Sequence, residues 1–209
     1  MVSTTLFTHR MCPFAQRAHI ALNFVIGSSN FQIEEIDLYG NKPSWFVKMN
    51  PAGQVPVLKH VDVNGKTDIV TESEDILDYL SILDTNQGLL NPITGHESYT
   101  ADRDWYKYMI SALLREGRST YPQGSAKLKG LLCEIESKKA SENHEGNFLL
   151  TGNVPSACDC SFFPMLYRIE KDFQGDLLQD FSELSAYLER MKSVPEVRET
   201  IVSSYWMWW

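Results

Sequence analysis

The sequence predicts a mixed α/β domain over residues 1–83, a linker over 84–96 and an all-helical domain over 97–209. Three observations carry this reading. Short β-branched or alternating stretches interleave with amphipathic helical ones up to about residue 83. The run from Asp84-Thr85-Asn86-Gln87-Gly88 to Asn91-Pro92-Ile93-Thr94-Gly95 is polar and broken. Beyond it, every extended pattern has the helical period.

Taken in order, Thr4–Thr8 is short and β-branched, a first strand. A helix follows from Pro13 to about Phe24, with Ala18, Ala21, Leu22 and Val25 on its inward face. Phe31–Asp37 alternates as a second strand, with Phe31, Ile33 and Ile36 as its apolar positions. Pro43-Ser44-Trp45-Phe46 opens a short helical segment that stops by Asn50-Pro51. Val63-Asn64-Gly65-Lys66 reads as a turn between strands Val57–Val61 and Thr67–Val70. Glu72 to about Leu83 is helical, with Ile76, Leu77, Leu80 and Leu83 on one face, so the order is β-α-β-α-β-β-α. The second half reads as helices over Tyr99–Arg118, Lys127–Lys139, Ala157 to about Lys171, Phe181–Ser193 and one begun by Pro195. Ser156-x-x-Asp159 has the form of a capping box, with Asp in place of Glu.

Composition narrows the function. The 209 residues are 43% hydrophobic and 22% charged, as in an ordinary globular chain with a sizeable core. Nineteen basic against 27 acidic residues give a formal charge of −8, which argues against a nucleic-acid partner. Cys12, Cys133, Cys158 and Cys160 fit neither a disulfide framework nor paired metal-ligand knuckles. We therefore expect packing roles for Cys158 and Cys160, no metal, and a reducing, cytoplasmic location. The N-terminus lacks a signal-peptide pattern, and no apolar run approaches the roughly 18 residues of a spanning helix.

The chemistry centres on Cys12-Pro13-Phe14-Ala15-Gln16-Arg17, between the first strand and the first helix. A sulfur at a helix N-terminus meets N–H groups and the positive end of the helix dipole, which favours thiolate. A buried structural cysteine is the competing reading. Ala15 stands where a dithiol reagent would carry its second cysteine, so a reactive Cys12 needs an external thiol. Thr71-Glu72-Ser73-Glu74 offers either helix capping or a carboxylate site at a helix start. Gln54-Val55-Pro56 is either an ordinary turn or, if Val55–Pro56 is cis, a backbone edge open to a peptide-like ligand.

In this order, Cys12–Arg17, Asn41-Lys42-Pro43-Ser44-Trp45-Phe46, Asn50–Leu58, Glu72-Ser73 and Ser156–Asp159 resemble the glutathione transferase superfamily. The similarity is to its cysteine-type branches, the omega class and the dehydroascorbate reductases, and Phe163-Pro164-Met165-Leu166-Tyr167 strengthens it. The resemblance implies a thioredoxin-like first domain that binds glutathione as co-substrate, and a helical second domain. It implies that Cys12 is the catalytic nucleophile, with Phe14 beside it. Gln54, Val55 and Pro56 would meet the cysteinyl backbone of glutathione, Glu72 and Ser73 its γ-glutamyl end, and Lys42 its glycyl carboxylate. A small disulfide or electrophile would enter a second pocket containing Trp105, Tyr108, Met109 and, from the aromatic tail, Trp206. The expected activity is thiol transfer, with dehydroascorbate reduction as a related reaction, in a monomer or homodimer. Two alternatives stay open: a non-enzymatic, redox-gated module akin to the chloride intracellular channels, and a glutathione-dependent lyase or reductive dehalogenase.

Overall fold

The computed structural model describes residues 2–83, 98–141 and 155–202. The first of these segments folds as β1 (Ser3–Thr8), α1 (Pro13–Ile26), β2 (Gln32–Glu35), α2 (Ser44–Met49), β3 (Val57–Val61), β4 (Thr67–Thr71) and α3 (Ser73–Leu83). The others supply α4 (Ser98–Thr120), α5 (Ala126–Ser141), α6 (Ala157–Asp172), α7 (Ser182–Ser193) and α8 (Pro195–Arg198). The expected linker over 84–96 falls wholly outside the described residues. No described helix is long and apolar enough to cross a membrane.

The sheet order is β2-β1-β3-β4. β1 pairs parallel with β2, a geometry that requires the crossover supplied by α1, whereas β3 and β4 join antiparallel. Alternation along the central strands builds two apolar layers. Leu6 faces Leu58 across the ladder and joins Ala18, Ala21, Leu22, Ile76, Leu77 and Leu80 of α1 and α3. Phe7, opposite Val57, points to the other side and packs with Phe46 of α2, Val55, Ile36 and Cys12.

β2 differs from expectation. It spans four residues, all exposed, and Ile33 keeps half its surface in water. Its position at the sheet edge explains this, because only β1 borders it and neither helical layer covers it. The inward apolar residue is Ile36, just beyond the strand, whose N–H bonds the Thr8 carbonyl at 2.8 Å.

In the helical domain α6 is the centre. Cys160, Phe162, Phe163, Leu166 and Ile169 are fully buried, and a helix apolar on every side belongs inside a bundle. Cys158 and Cys160 are packed here as free thiols. The helix starts with a complete capping box: the Asp159 carboxylate accepts from the Ser156 N–H at 2.8 Å, and the Ser156 hydroxyl oxygen accepts from the Asp159 N–H at 3.4 Å. Asp159 has no exposed surface.

Polar contacts on two sides of α1 help to tie the domains together. On one side the Glu74 carboxylate of α3 takes Arg17 Nη2 from α1 at 2.6 Å and Lys107 Nζ from α4 at 2.7 Å. Burial alone would raise the Glu74 carboxyl, but the two cations outweigh it and hold it below the ordinary carboxylate value. On the other side the Gln16 amide of α1 donates to Thr200 Oγ1 and O, both at 3.2 Å, and Asn23 Nδ2 donates to Glu196 O at 2.7 Å.

Two stability tests follow from these contacts. Asp159→Ala removes a buried cap and should cost about 1–2 kcal/mol, read as a lower melting temperature. Glu74→Gln leaves Arg17 buried without its carboxylate. Full burial would make such a loss about 3–5 kcal/mol, and the 23% exposure of Glu74 reduces the expectation to about 2 kcal/mol at neutral pH. The pH sign is fixed by the depressed carboxyl. Its contribution is present above the unfolded value of about 4.3 and is lost as pH falls through the lower folded value. The variant's stability should therefore converge on wild type in acid, and a constant difference down to about pH 2 would reject the assignment.

Candidate active site

A cavity of about 610 Å³ opens between the sheet domain and α4. Cys12, Phe14, Lys42, Gln54, Val55, Pro56, Glu72 and Ser73 all line it, although they come from four separate stretches of chain. Three of these stretches are held by local chemistry.

Cys12 is the N-cap of α1, with extended φ and ψ of −82° and 118° and Pro13 directly after it. Its N–H bonds His9 O at 2.8 Å, and its carbonyl accepts from the Gln16 N–H at 2.9 Å. Cys12 is 2% exposed, and its Sγ donates to the Val55 carbonyl at 3.9 Å, a long sulfur contact. Burial pushes this thiol upward. The Ala15 and Phe14 N–H groups pull it down, as do the charges of Arg168 and Arg118, yet the net displacement remains upward. The helix dipole alone suggested a thiolate at neutral pH. The structure corrects that expectation, because the apolar layer of Phe7, Phe46 and Val57 desolvates the sulfur more than the dipole stabilises its charge.

The second stretch is the loop before β3. Asn50, almost fully buried, donates through Nδ2 to Gln54 O at 2.9 Å and accepts at Oδ1 from the Ala52 N–H at 3.3 Å. This fastening presents Gln54, Val55 and the cis Val55–Pro56 bond to the cavity. Gly53 sits at φ +61°, and a Cβ there would lie 3.2 Å from Lys42 Cδ and 3.3 Å from Lys42 Nζ. Glycine thus serves twice: it takes the left-handed conformation and leaves room for the lysine stem.

The third stretch is the handover from β4 to α3. Glu72 has φ +64°, a conformation that costs a side-chain-bearing residue roughly 1–2 kcal/mol. The turn puts Ser73 at the first position of α3, buried and facing the cavity, while the Glu72 carbonyl accepts from the Ile76 N–H at 3.0 Å. A helix N-terminus with a hydroxyl suits a carboxylate, and Glu72 beside it suits an ammonium group.

The helical domain closes the cavity differently from the sequence expectation. Lys107, Ile110, Ser111 and Arg118 of α4 line it. Trp105 instead packs 5.6 Å from the Phe162 ring and donates to Glu134 at 2.9 Å, Met109 is fully buried, and Tyr108 is exposed on the surface. Helical periodicity marks the buried stripe of α4, and the cavity lies on the adjacent face. Trp206 lies outside the described residues. Arg17 and Glu74, already in the motifs noted above, also reach the cavity.

One further residue at this site lies outside the sequence motifs. Arg168 of α6 is fully buried, and it donates to Gln16 Oε1 at 2.7 Å, Met11 O at 3.1 Å and Pro164 O at 2.6 Å. Its signal was legible: an arginine within an otherwise apolar helical run must find partners inside the fold.

With the fold and cavity described, comparison with known proteins places the chain. Residues 11–81 match the family model described as glutathione S-transferase, N-terminal domain, and residues 111–203 match glutathione S-transferase, C-terminal domain. Glutathione S-transferase L3 of Arabidopsis thaliana is 42% identical over 194 residues, covering 90% of this chain and 78% of that protein. Glutathione S-transferase omega-1 of Mus musculus is 28% identical over 196 residues, covering 91% and 77%. Among solved structures, glutathione transferase Omega 2C from Trametes versicolor superposes with a TM-score of 0.75 at 19% identity, covering 99% of this chain and 96% of that one. The four-stranded thioredoxin-like domain, the helical domain and both family matches agree: the chain belongs to the glutathione S-transferase family.

Proposed function

We propose that this glutathione transferase is of the cysteine type and that its reaction is thiol transfer from glutathione, with dehydroascorbate as a second candidate acceptor. The observation that carries the reading is the placement of Cys12 Sγ. It lies at the N-terminus of α1, beside the Val55 carbonyl, in the cavity that Lys42, Glu72 and Ser73 also line.

In this reading Ser73 and the first turn of α3 bind the γ-glutamyl carboxylate, and Glu72 binds the ammonium group. The Val55 backbone pairs with the cysteinyl residue, Gln54 and Pro56 flank it, and Lys42 takes the glycyl carboxylate. Phe14 closes the side of the pocket next to the sulfur. The acceptor enters against Ile110, Ser111 and Arg118 of α4.

Cys12 first loses its proton to solvent. Its thiolate attacks the glutathione sulfur of a mixed disulfide R–S–S–G, forming Cys12–S–S–G and expelling RS⁻, which is protonated. A glutathione thiolate then attacks that adduct, forming oxidised glutathione and expelling the Cys12 thiolate. The cycle converts R–S–S–G and one glutathione into RSH and oxidised glutathione, so one half of that disulfide comes from the substrate and the other from the resolving glutathione. The Phe14 and Ala15 N–H groups and the charges of Arg168 and Arg118 act against burial and assist the expulsion of Cys12, since better-stabilised leaving thiolates exchange faster. Conjugation of electrophiles is secondary here, because Cys12 offers no hydroxyl to hold the sulfur of glutathione as a free thiolate.

Purified protein should reduce hydroxyethyl disulfide with glutathione and conjugate 1-chloro-2,4-dinitrobenzene poorly, while Cys12→Ser should lose thiol transfer. After incubation with oxidised glutathione, intact mass should rise by one adduct on Cys12. An adduct confined to the exposed Cys133, or efficient conjugation without disulfide reduction, would overturn the reading. The upward-shifted thiol sets the pH dependence. Thiolate is scarce at neutral pH, so kcat/KM for the disulfide should climb from about pH 7 into the alkaline range instead of reaching a plateau near neutrality.

A further inference from the structure

We infer that Arg168 is a positioning residue for Cys12, through which the helical domain orients the cysteine-bearing turn and supplies a fixed positive charge behind it. The inference rests on Cys12 being the reactive thiol.

The geometry is specific. Arg168 belongs to α6, yet two of its donors reach into the first domain. Nη2 donates to Met11 O, the carbonyl immediately before Cys12, at 3.1 Å. Nη1 donates to Gln16 Oε1, one helical turn after Cys12, at 2.7 Å. The planar fork therefore holds the chain on both sides of the cysteine, and a point-charge ammonium could not reproduce that span. Nη1 also contacts Pro164 O at 2.6 Å, which fixes the guanidinium to its own helix. Gln16 is tethered in turn, because its amide donates to Thr200 O and Oγ1 after α8.

Burial makes the charge count. Arg168 and Cys12 are 0% and 2% exposed, so little water lies between them to screen the field. The Met11, Gln16 and Pro164 oxygens compensate part of the lost hydration. The positive charge acts on the Cys12 sulfur in the direction that favours its ionised state. The same preference applies when Cys12 leaves the glutathione adduct. Other charged groups line the cavity that Cys12 also lines. Arg118 and Lys107 approach from α4, Arg17 from α1, Lys42 from the loop before α2, and Glu72 and Glu74 from the start of α3. Arg118 lies on an exposed stretch of helix, whereas Arg168 is fully desolvated.

The test is the pH profile of Cys12 alkylation by iodoacetamide, an uncharged probe, with adducts assigned to Cys12 by peptide mass. Arg168→Met should raise the midpoint by about one pH unit and slow alkylation at about pH 7 by roughly tenfold. Arg168→Lys should restore most of the midpoint, because the charge remains, while turnover stays several-fold below wild type, because the fork is lost. A folded Arg168→Met variant with a wild-type profile overturns the inference, as does an Arg168→Lys midpoint equal to that of the methionine variant. Should the methionine variant not fold, Gln16→Leu removes one arm of the clamp and retains the cation. It should lower kcat several-fold with KM for glutathione unchanged, and a wild-type kcat or a change in KM alone overturns the inference. Alkylation reads the sulfur without glutathione or disulfide. A wild type that shows this dependence but no thiol transfer would overturn the proposed reaction and leave the role of Arg168 standing.

Discussion

The joint between α1 and α6 is the constraint on which the site depends. α1 serves both domains: Ala18, Ala21 and Leu22 contribute to the layer beneath the sheet, while Gln16 and Asn23 reach towards the helical domain. Burying an arginine at such a joint is costly, with several kcal/mol of desolvation for an ion of this size. Three oxygen acceptors offset part of that cost. The result is a fixed interval between Met11 and Gln16, with Cys12 inside it. The cysteine-bearing turn is thus fastened twice, by the Cys12 N–H to His9 O in the loop after β1 and by Arg168 from the helical domain.

This arrangement sets opposing demands on the thiol. The layer of Phe7, Phe46 and Val57 that fixes the side chain also removes water from it, which disfavours charge. The N–H groups of Phe14 and Ala15 and the two arginines act the other way. Desolvation wins in the protein alone, so the resting group is a thiol that points at the Val55 carbonyl. A peptide-like ligand paired with Val55 would compete for that same carbonyl. Ligand docking and release of the sulfur's hydrogen-bond partner are then parts of one event.

Much of this was legible in the sequence, and the exceptions share a physical cause. Element order and the capping box at Ser156 were readable because periodicity, Pro13, Pro195 and the Ser-x-x-Asp spacing are local signals. The motifs around Cys12, Lys42, Val55 and Glu72 likewise mark cavity residues, since each occupies a chain reversal with its own local chemistry. What failed was anything decided by the neighbour an element meets. Ile33 alternates like a half-buried strand residue, but β2 lies at an edge and leaves it exposed. Trp105 and Met109 mark the apolar stripe of α4, yet the cavity takes Lys107, Ile110, Ser111 and Arg118 from the adjoining face. Arg168 lies 156 residues beyond Cys12, and no local pattern joins them.

Charge distribution completes the argument for an anionic ligand. The chain carries a formal −8, so its surface as a whole repels anions such as glutathione. The cavity inverts that balance: among the described lining residues, Arg17, Lys42, Lys107 and Arg118 outnumber Glu72 and Glu74. Glu74 is already committed to Arg17 and Lys107, and that cluster keeps a net positive charge of one. Lys42 and Arg118 add theirs at separate points along the lining. Walls of low dielectric concentrate such a field at the mouth of a cleft, so an anion that reaches the rim is drawn inward. Ser73 and the first turn of α3 then offer directional hydrogen bonds that a uniformly basic patch would lack. An acidic chain with a basic, hydrogen-bonding cleft therefore recognises its ligand by the placement of charge, and Glu72 at φ +64° is where the backbone bends to make that placement.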